Sequence, residues 1–138
     1  MREFALVAGV VVAVFAWIYV AGGRNLKRMK LALARRRPSP TREEFISMLA
    51  ESCEADIAEL LWDELFVFYK PDMTPHPDDD VIQDMPIDGE EPNDWLSEFC
   101  KRNSLRLKDI TDWPKDQSAT VRNLASWFSE NRKRLVQS

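Results

Sequence analysis

Histidine is almost missing from this chain of 138 residues, with His76 the only one. A Ser/His/Asp or Cys/His system would have a single imidazole to draw on, and no helper for it is in sight. Glycine is scarce as well: of four in all, only Gly89 lies beyond Gly23. A phosphate-cradling loop needs several glycines close together so that backbone N–H groups can approach the ligand. No such cluster exists here. The two cysteines, Cys53 and Cys100, stand at no metal-like spacing and fit small core positions of helices. His76 sits beside Asp78, Asp79 and Asp80, which offers oxygen ligands for Mg²⁺ or Ca²⁺ without a defined spacing. Placing Gly89 at the sixth position of an EF-hand loop puts Trp95 at the twelfth, where a Glu is required. These absences point away from an enzyme, a cofactor and a bound metal.

Charge is absent in two places. From Phe4 to Gly23 there is none of either sign. A run of about 20 apolar residues is what an α-helix needs to cross a ~30 Å hydrocarbon core, so residues 1–23 are expected to form one transmembrane anchor. The rival is a cleaved signal peptide, suggested by Arg2 and the small residues around Ala21, but a signal h-region is usually ~7–15 residues and this run is longer. Trp17 and Tyr19 lie toward one end, where amphipathic rings favour the interface. From residue 24 to 40 acids are absent, while Arg24, Lys27, Arg28, Lys30, Arg35, Arg36 and Arg37 supply seven bases. The positive-inside rule then puts this basic linker and all that follows in the cytoplasm. Its bases are expected to face anionic headgroups, at up to about 1 kcal/mol each, unless they are a topology signal alone. Pro38-Ser39-Pro40 ends the segment and marks the domain boundary.

The balance reverses from Thr41 to the end, where 22 acids face 11 bases for a net charge of −11. A domain so acidic repels nucleic acid and favours a basic protein partner. Thr41-Arg42-Glu43-Glu44 carries a capping-box pattern, and Phe45, Ile46, Leu49, Cys53, Ile57, Leu60, Leu61, Leu65 and Phe68 recur at helical spacing up to Tyr69. This is one long helix or two broken near Glu54–Asp56. Residues 71–89 form a loop with four prolines and six aspartates, its Val81, Ile82, Met85 and Ile87 expected to pack over the domain. Asp88-Gly89-Glu90-Glu91-Pro92 opens a further helix with an apolar face of Trp95, Leu96, Phe99 and Cys100, ending near Arg102-Asn103. Leu105–Lys108 alternates as a short extended piece would, and Asp109–Pro114 reads as a turn or a short helix. Ser118 is expected to cap a last helix with a stripe of Val121, Leu124, Ala125, Phe128 and Leu135. The domain, residues 41–138, is therefore all-α. Its tryptophans fit core packing, with Trp113, beside Pro114, the one whose exposure matters most for partner contact.

Asp84-Met85-Pro86-Ile87-Asp88-Gly89-Glu90-Glu91, followed by Trp95-Leu96-Ser97-Glu98-Phe99, resembles the Asp-Leu-Gly-x-Asp-Ser-Leu segment of acyl carrier proteins. It is closer to a family of uncharacterised bacterial acyl-carrier-protein-like domains, whose pattern is matched by Thr74-Pro75, Val81, Asp84-Met85, Ile87, Gly89-Glu90-Glu91 and Trp113-Pro114. The likeness spans about Thr74 to Pro114; the anchor and the last helix depart from it. Gly89 occupies the place of the serine that carries phosphopantetheine in true carriers, and glycine has no hydroxyl to form the phosphodiester. The resemblance implies a small acyl-carrier-like helical bundle, of bacterial origin, that carries nothing covalently; with the anchor at residues 4–23 the expected setting is a single-pass protein of the bacterial inner membrane. The resemblance also implies a docking helix, Asp88, Glu90, Glu91, Asp94 and Glu98, for basic patches of a partner. The expected role is a non-catalytic adaptor or regulator; a carrier or accessory protein of lipid metabolism and an acidic toxin inhibitor are the alternatives.

Overall fold

The helical periods resolve into five α-helices in a computed structural model, which describes residues 27–85, 87 and 90–137. The expected span at 4–23, Arg24, Asp88 and Gly89 lie outside the described residues. The helices are α1 (27–36), α2 (Arg42–Met48), α3 (Ala55–Tyr69), α4 (Glu91–Arg102) and α5 (Val121–Val136), with a 3₁₀ turn at Leu107–Asp109. Among the described residues no strand forms, only an isolated bridge between Asp80 and Thr120. The architecture is all-α, a helical bundle. Among the same residues no helix is long and apolar enough to cross a membrane.

The first domain helix starts as its sequence dictates. The Thr41 hydroxyl accepts from the Glu44 N–H, and the Glu44 carboxylate accepts from the Thr41 N–H, which satisfies two orphan donors at once. The period from Arg42 to Tyr69 is two helices, not one. A continuous helix over that stretch would run about 42 Å, longer than a domain of this size is wide. The chain instead turns at Leu49–Cys53, with both side chains buried, and α3 begins after an extended Glu54.

α3 is the centre of the bundle and packs against α2, α4 and α5. Seven of its fifteen residues are buried: Ile57, Ala58, Leu60, Leu61, Trp62, Leu65 and Tyr69. At about 1.5–3 kcal/mol for each large apolar side chain removed from water, this helix supplies much of the driving force. Aromatic pairs join the neighbours. Phe45 meets Trp62 edge-on at 5.3 Å, Phe68 meets Trp95 at 6.4 Å, and Phe99 stacks on Phe128 at 4.9 Å.

Three local readings change. Leu107–Asp109 is a 3₁₀ turn, so the short extended piece at Leu105–Lys108 does not form; Leu105 packs inward where α4 ends. That end is a Schellman closure, with the Leu105 N–H on the Cys100 carbonyl and Ser104 at φ 56° in the region usually left to glycine. The cap of α5 is Thr120, whose hydroxyl accepts from the Asn123 N–H. Ser118 sits two residues too early and accepts from the Asn123 side chain instead. Finally, Leu135 is half-buried, while Val121, Leu124, Ala125 and Phe128 make the buried stripe.

The aspartate-rich loop packs over the bundle with Val81, Met85 and Ile87 in the core, but Ile82 does not join them and is left exposed. It also serves the start of α5. The Asp79 and Pro77 carbonyls accept from the Val121 and Arg122 N–H groups, two donors that a helix cannot satisfy within itself.

Candidate functional site

The two charged regions singled out by the sequence fare differently in three dimensions. On α4, the exposed face carries Asp94 beside the partly exposed Glu91 and Glu98, with the exposed Glu90 just ahead of the helix. The arrangement follows from helical spacing. Trp95, Leu96, Phe99 and Cys100 turn inward, so positions 91, 94 and 98 fall on one outward stripe. Glu98 pairs with Arg102 one turn on, at 3.0 Å. Asp88 and Gly89 lie outside the described residues, so the place of the carrier serine has no structural description.

Sequence reasoning missed that α3 extends this stripe. The Glu64 carboxyl is raised above the ordinary glutamate range, first by burial and then by the neighbouring Glu98, with Asp63 and Glu91 adding to it and Arg102 opposing. Carboxylates from two helices thus share one face closely enough to repel one another. Glu64 is visible as an acid in the sequence, but its proximity to Glu98 is a product of the α3–α4 packing alone.

The basic segment divides. Lys27, Arg28 and Arg35 are exposed on α1 and Lys30 is half-buried. Arg36 reaches Asp84 at 3.1 Å on the surface. Arg37 is drawn inside: its Nε donates to Asp79 Oδ1 at 2.9 Å, one Nη to Asp79 Oδ2 at 2.5 Å, and the same nitrogen to the Thr74 carbonyl at 2.9 Å. Both partners are buried, with side chains 11% and 3% exposed. Asp79 Oδ2 also accepts from the Tyr69 hydroxyl and the His76 N–H, and the Arg37 guanidinium lies 5.9 Å from the Tyr69 ring centre. Burial, with Asp79 next, pushes the Tyr69 phenol far above its usual range. Two residues before His76, Thr74 donates through its hydroxyl to the Pro40 carbonyl and through its N–H to Ser39. With Leu33 in the same core as Phe45 and Leu49, residues 33–40 are fastened to the bundle.

His76 has a structural part. Its N–H goes to Asp79 and its Nδ1 accepts from the Asp78 N–H at 3.0 Å, and burial, followed by Arg37, lowers its basicity. Among the described residues no group of three or more His, Cys, Asp or Glu is placed to hold a metal. Cys53 and Cys100 are buried and free, and burial pushes the Cys53 thiol up to about 11. Trp113 is half-buried, its indole N–H on the Gln117 carbonyl and its ring edge-on to Trp127 at 5.2 Å. The two rings separate a groove of about 220 Å³ against Ile82 and Pro92 from one of about 280 Å³ against Leu107 and Ile110.

What the fold defines is thus a class, a small all-helical bundle with one acidic face and a basic helix fastened to it. Comparison with protein families, curated proteins and solved structures gives no match.

Proposed function

We propose that this chain is a membrane-anchored, non-catalytic, acyl-carrier-like adaptor that docks a basic protein partner through the acidic face of α4. The observation that carries the docking reading is the set Glu91, Asp94 and Glu98 on α4 joined by Glu64 on α3, whose carboxyl is raised first by burial and then by Glu98. Burying a basic patch there relieves carboxylate repulsion and supplies steering and specificity more than raw affinity. The anchor rests on the uncharged run of residues 4–23 and the cytoplasmic side on the bases that follow it. The carrier-like part rests on the Asp84–Glu91 motif, and Gly89 in place of a serine makes the domain a docking module without a prosthetic arm.

The test is recovery of a partner from detergent-solubilised membranes. The wild-type chain is expected to retain a basic protein that is released by 0.5 M salt and lost from a Glu91→Lys/Asp94→Lys/Glu98→Lys variant. Equal recovery by the charge-reversed chain would refute docking through this face. Intact mass after co-expression with a phosphopantetheinyl transferase addresses the carrier alternative. No gain is expected, and a gain of one pantetheine arm would replace this reading.

A further inference from the structure

We propose that the outward face of α1, formed by Lys27, Arg28, Leu31 and Arg35, is a contact surface for anionic lipid that holds the bundle in one orientation on the membrane. The inference rests on the anchor reading and deepens it, because a flexible basic tether would present the domain in any orientation.

The first observation is that α1 is part of the bundle. Its inward side is Leu33, 2% exposed, with Arg36 and Arg37 on Asp84 and Asp79. The Arg37–Asp79 pair is buried, and Asp79 is tied in turn to Tyr69 of α3 and through its carbonyl to Val121 of α5. Leu33 in the core and Arg36 on Asp84 oppose a tilt of α1, and the Arg37–Asp79 pair fixes the chain just past its end. The second observation is what α1 leaves outside. Positions 27, 28, 31 and 35 lie on the side of the helix opposite Leu33, and all four are exposed. Leu31 is 55% exposed, flanked by three cations with no acid anywhere between residues 24 and 40. A large apolar side chain ringed by bases fits the boundary between headgroups and acyl chains, where the leucine enters and the cations stay with phosphates.

The third observation is reach. The uncharged run ends at Gly23, four residue steps before Lys27. Whatever conformation those steps take, they span at most about 14 Å. If the run is in the bilayer, Lys27 stays within about two screening lengths of the headgroups, at about 8 Å each in physiological salt, and α1 lying along the surface brings Arg28, Leu31 and Arg35 as near. Charge complementarity therefore selects the anionic leaflet over an acidic protein, which no feature of the chain brings equally near. The acidic face, on α3 and α4, is carried at a fixed angle to it.

The experiment uses the full chain reconstituted into vesicles of phosphatidylcholine alone or with 30% phosphatidylglycerol, with an environment-sensitive fluorophore on Leu31→Cys. The buried Cys53 and Cys100 thiols leave the introduced one as the reactive site. Vesicle flotation after alkaline wash is measured on the same samples. The expected result is flotation in both lipids, with blue-shifted, quencher-protected emission in the anionic vesicles only. Arg28→Gln and Arg35→Gln, both exposed and without a role in the core, should each lower the ratio of protected to accessible label roughly fivefold. Circular dichroism checks that these variants fold. Emission that is the same in both lipids, or unchanged by the two substitutions, overturns the lipid contact while leaving the anchor standing. Failure to float in either lipid overturns both. A second label at Ser47 reports orientation by energy transfer to headgroup-labelled lipid. One narrow distance is expected for the wild type and a broadened one for Arg37→Ala; an equally broad distribution in the wild type overturns the fixed orientation.

Discussion

Asp79 ties together the chain after α1, the end of α3, its own loop and the start of α5. Its carboxylate accepts from Arg37 twice, from Tyr69 and from the His76 N–H, while its carbonyl accepts from Val121. Removing one partner of a buried ion pair costs about 3–5 kcal/mol, because the other charge is left uncompensated. The two halves of this pair are not equivalent. Arg37→Ala leaves the carboxylate with two donors, whereas Asp79→Ala strands a buried guanidinium, a phenol and an amide. Asp79→Ala should therefore destabilise more than Arg37→Ala by a further ~1–3 kcal/mol, the cost of orphaned buried donors. Urea titration of the detergent-solubilised chain measures both. An Asp79→Ala variant as stable as Arg37→Ala would show that Tyr69 and His76 find water instead. None of this was legible from residues 37 and 79 in sequence: 42 positions separate them, and Asp79 sits in a run of three aspartates that differ only in where the loop turns them. Asp80 caps its own turn at the Ile82 and Gln83 N–H groups and Asp78 meets Arg122, so chemically identical residues do three different tasks.

Among the elements, interiors were easier to read than ends. The stripes on α3, α4 and α5 follow from a 3.6-residue period that any amphipathic helix must show. Caps depend on a side-chain oxygen reaching a particular N–H, and serine and threonine both qualify by composition. At the start of α5 both are present, and Thr120 takes the position because the loop carbonyls of Pro77 and Asp79 meet Arg122 and Val121 there. Thr120→Ala should cost about 1 kcal/mol, and Ser118→Ala less than half of that, by thermal unfolding. The reverse order would restore Ser118 as the cap. At the far end of the same helix, Arg132 holds Asp56 with two hydrogen bonds and also reaches Glu54 and Asn103. Bases in the last turn of a helix complement its dipole. Lys133 and Arg134 do stand in the last turn; in addition Arg132 and Lys133 span to acids at the start of α3, and Arg134 donates to the Asp109 carbonyl.

At the scale of the whole molecule these contacts set how stability follows pH. His76 titrates below its ordinary 6.5, first because it is buried, and its Nδ1 must stay unprotonated to accept from Asp78. The unfolded chain binds that proton more readily, so stability is full above pH 6.5 and declines as pH falls below it. Asp56 is lowered, most by its Arg132 hydrogen bond; burial works against Glu54, but its own backbone N–H, then Ser129 and Arg132, lower it. Their contribution is present above their ordinary 3.8 and 4.5 and is lost as pH drops through the lower folded values. Glu64 works the other way: its raised carboxyl opposes folding when charged, and protonation relieves the acidic face. The melting temperature should fall in two stages, below pH 6.5 and again below about pH 4. His76→Asn should flatten the first stage. A first stage that survives in the variant would assign it to another group.

By itself the sequence determined the sign of each region, the helical class and the buried stripes, because hydropathy period and net charge are sums over neighbours along the chain. It also specified the Thr41 capping box, which closes within three residues. The tertiary structure alone decided that the stretch from 42 to 69 folds back on itself and that Glu64 faces the α4 acids. It also decided that Arg36 and Arg37 leave the basic segment to join the bundle. Each of these turns on which residues far apart in the chain come to share a surface. A core that must bury Leu33 beside Phe45 and Leu49 brings Arg37 to Asp79, and no local pattern of bases distinguishes the one that is drawn inside from those left facing out.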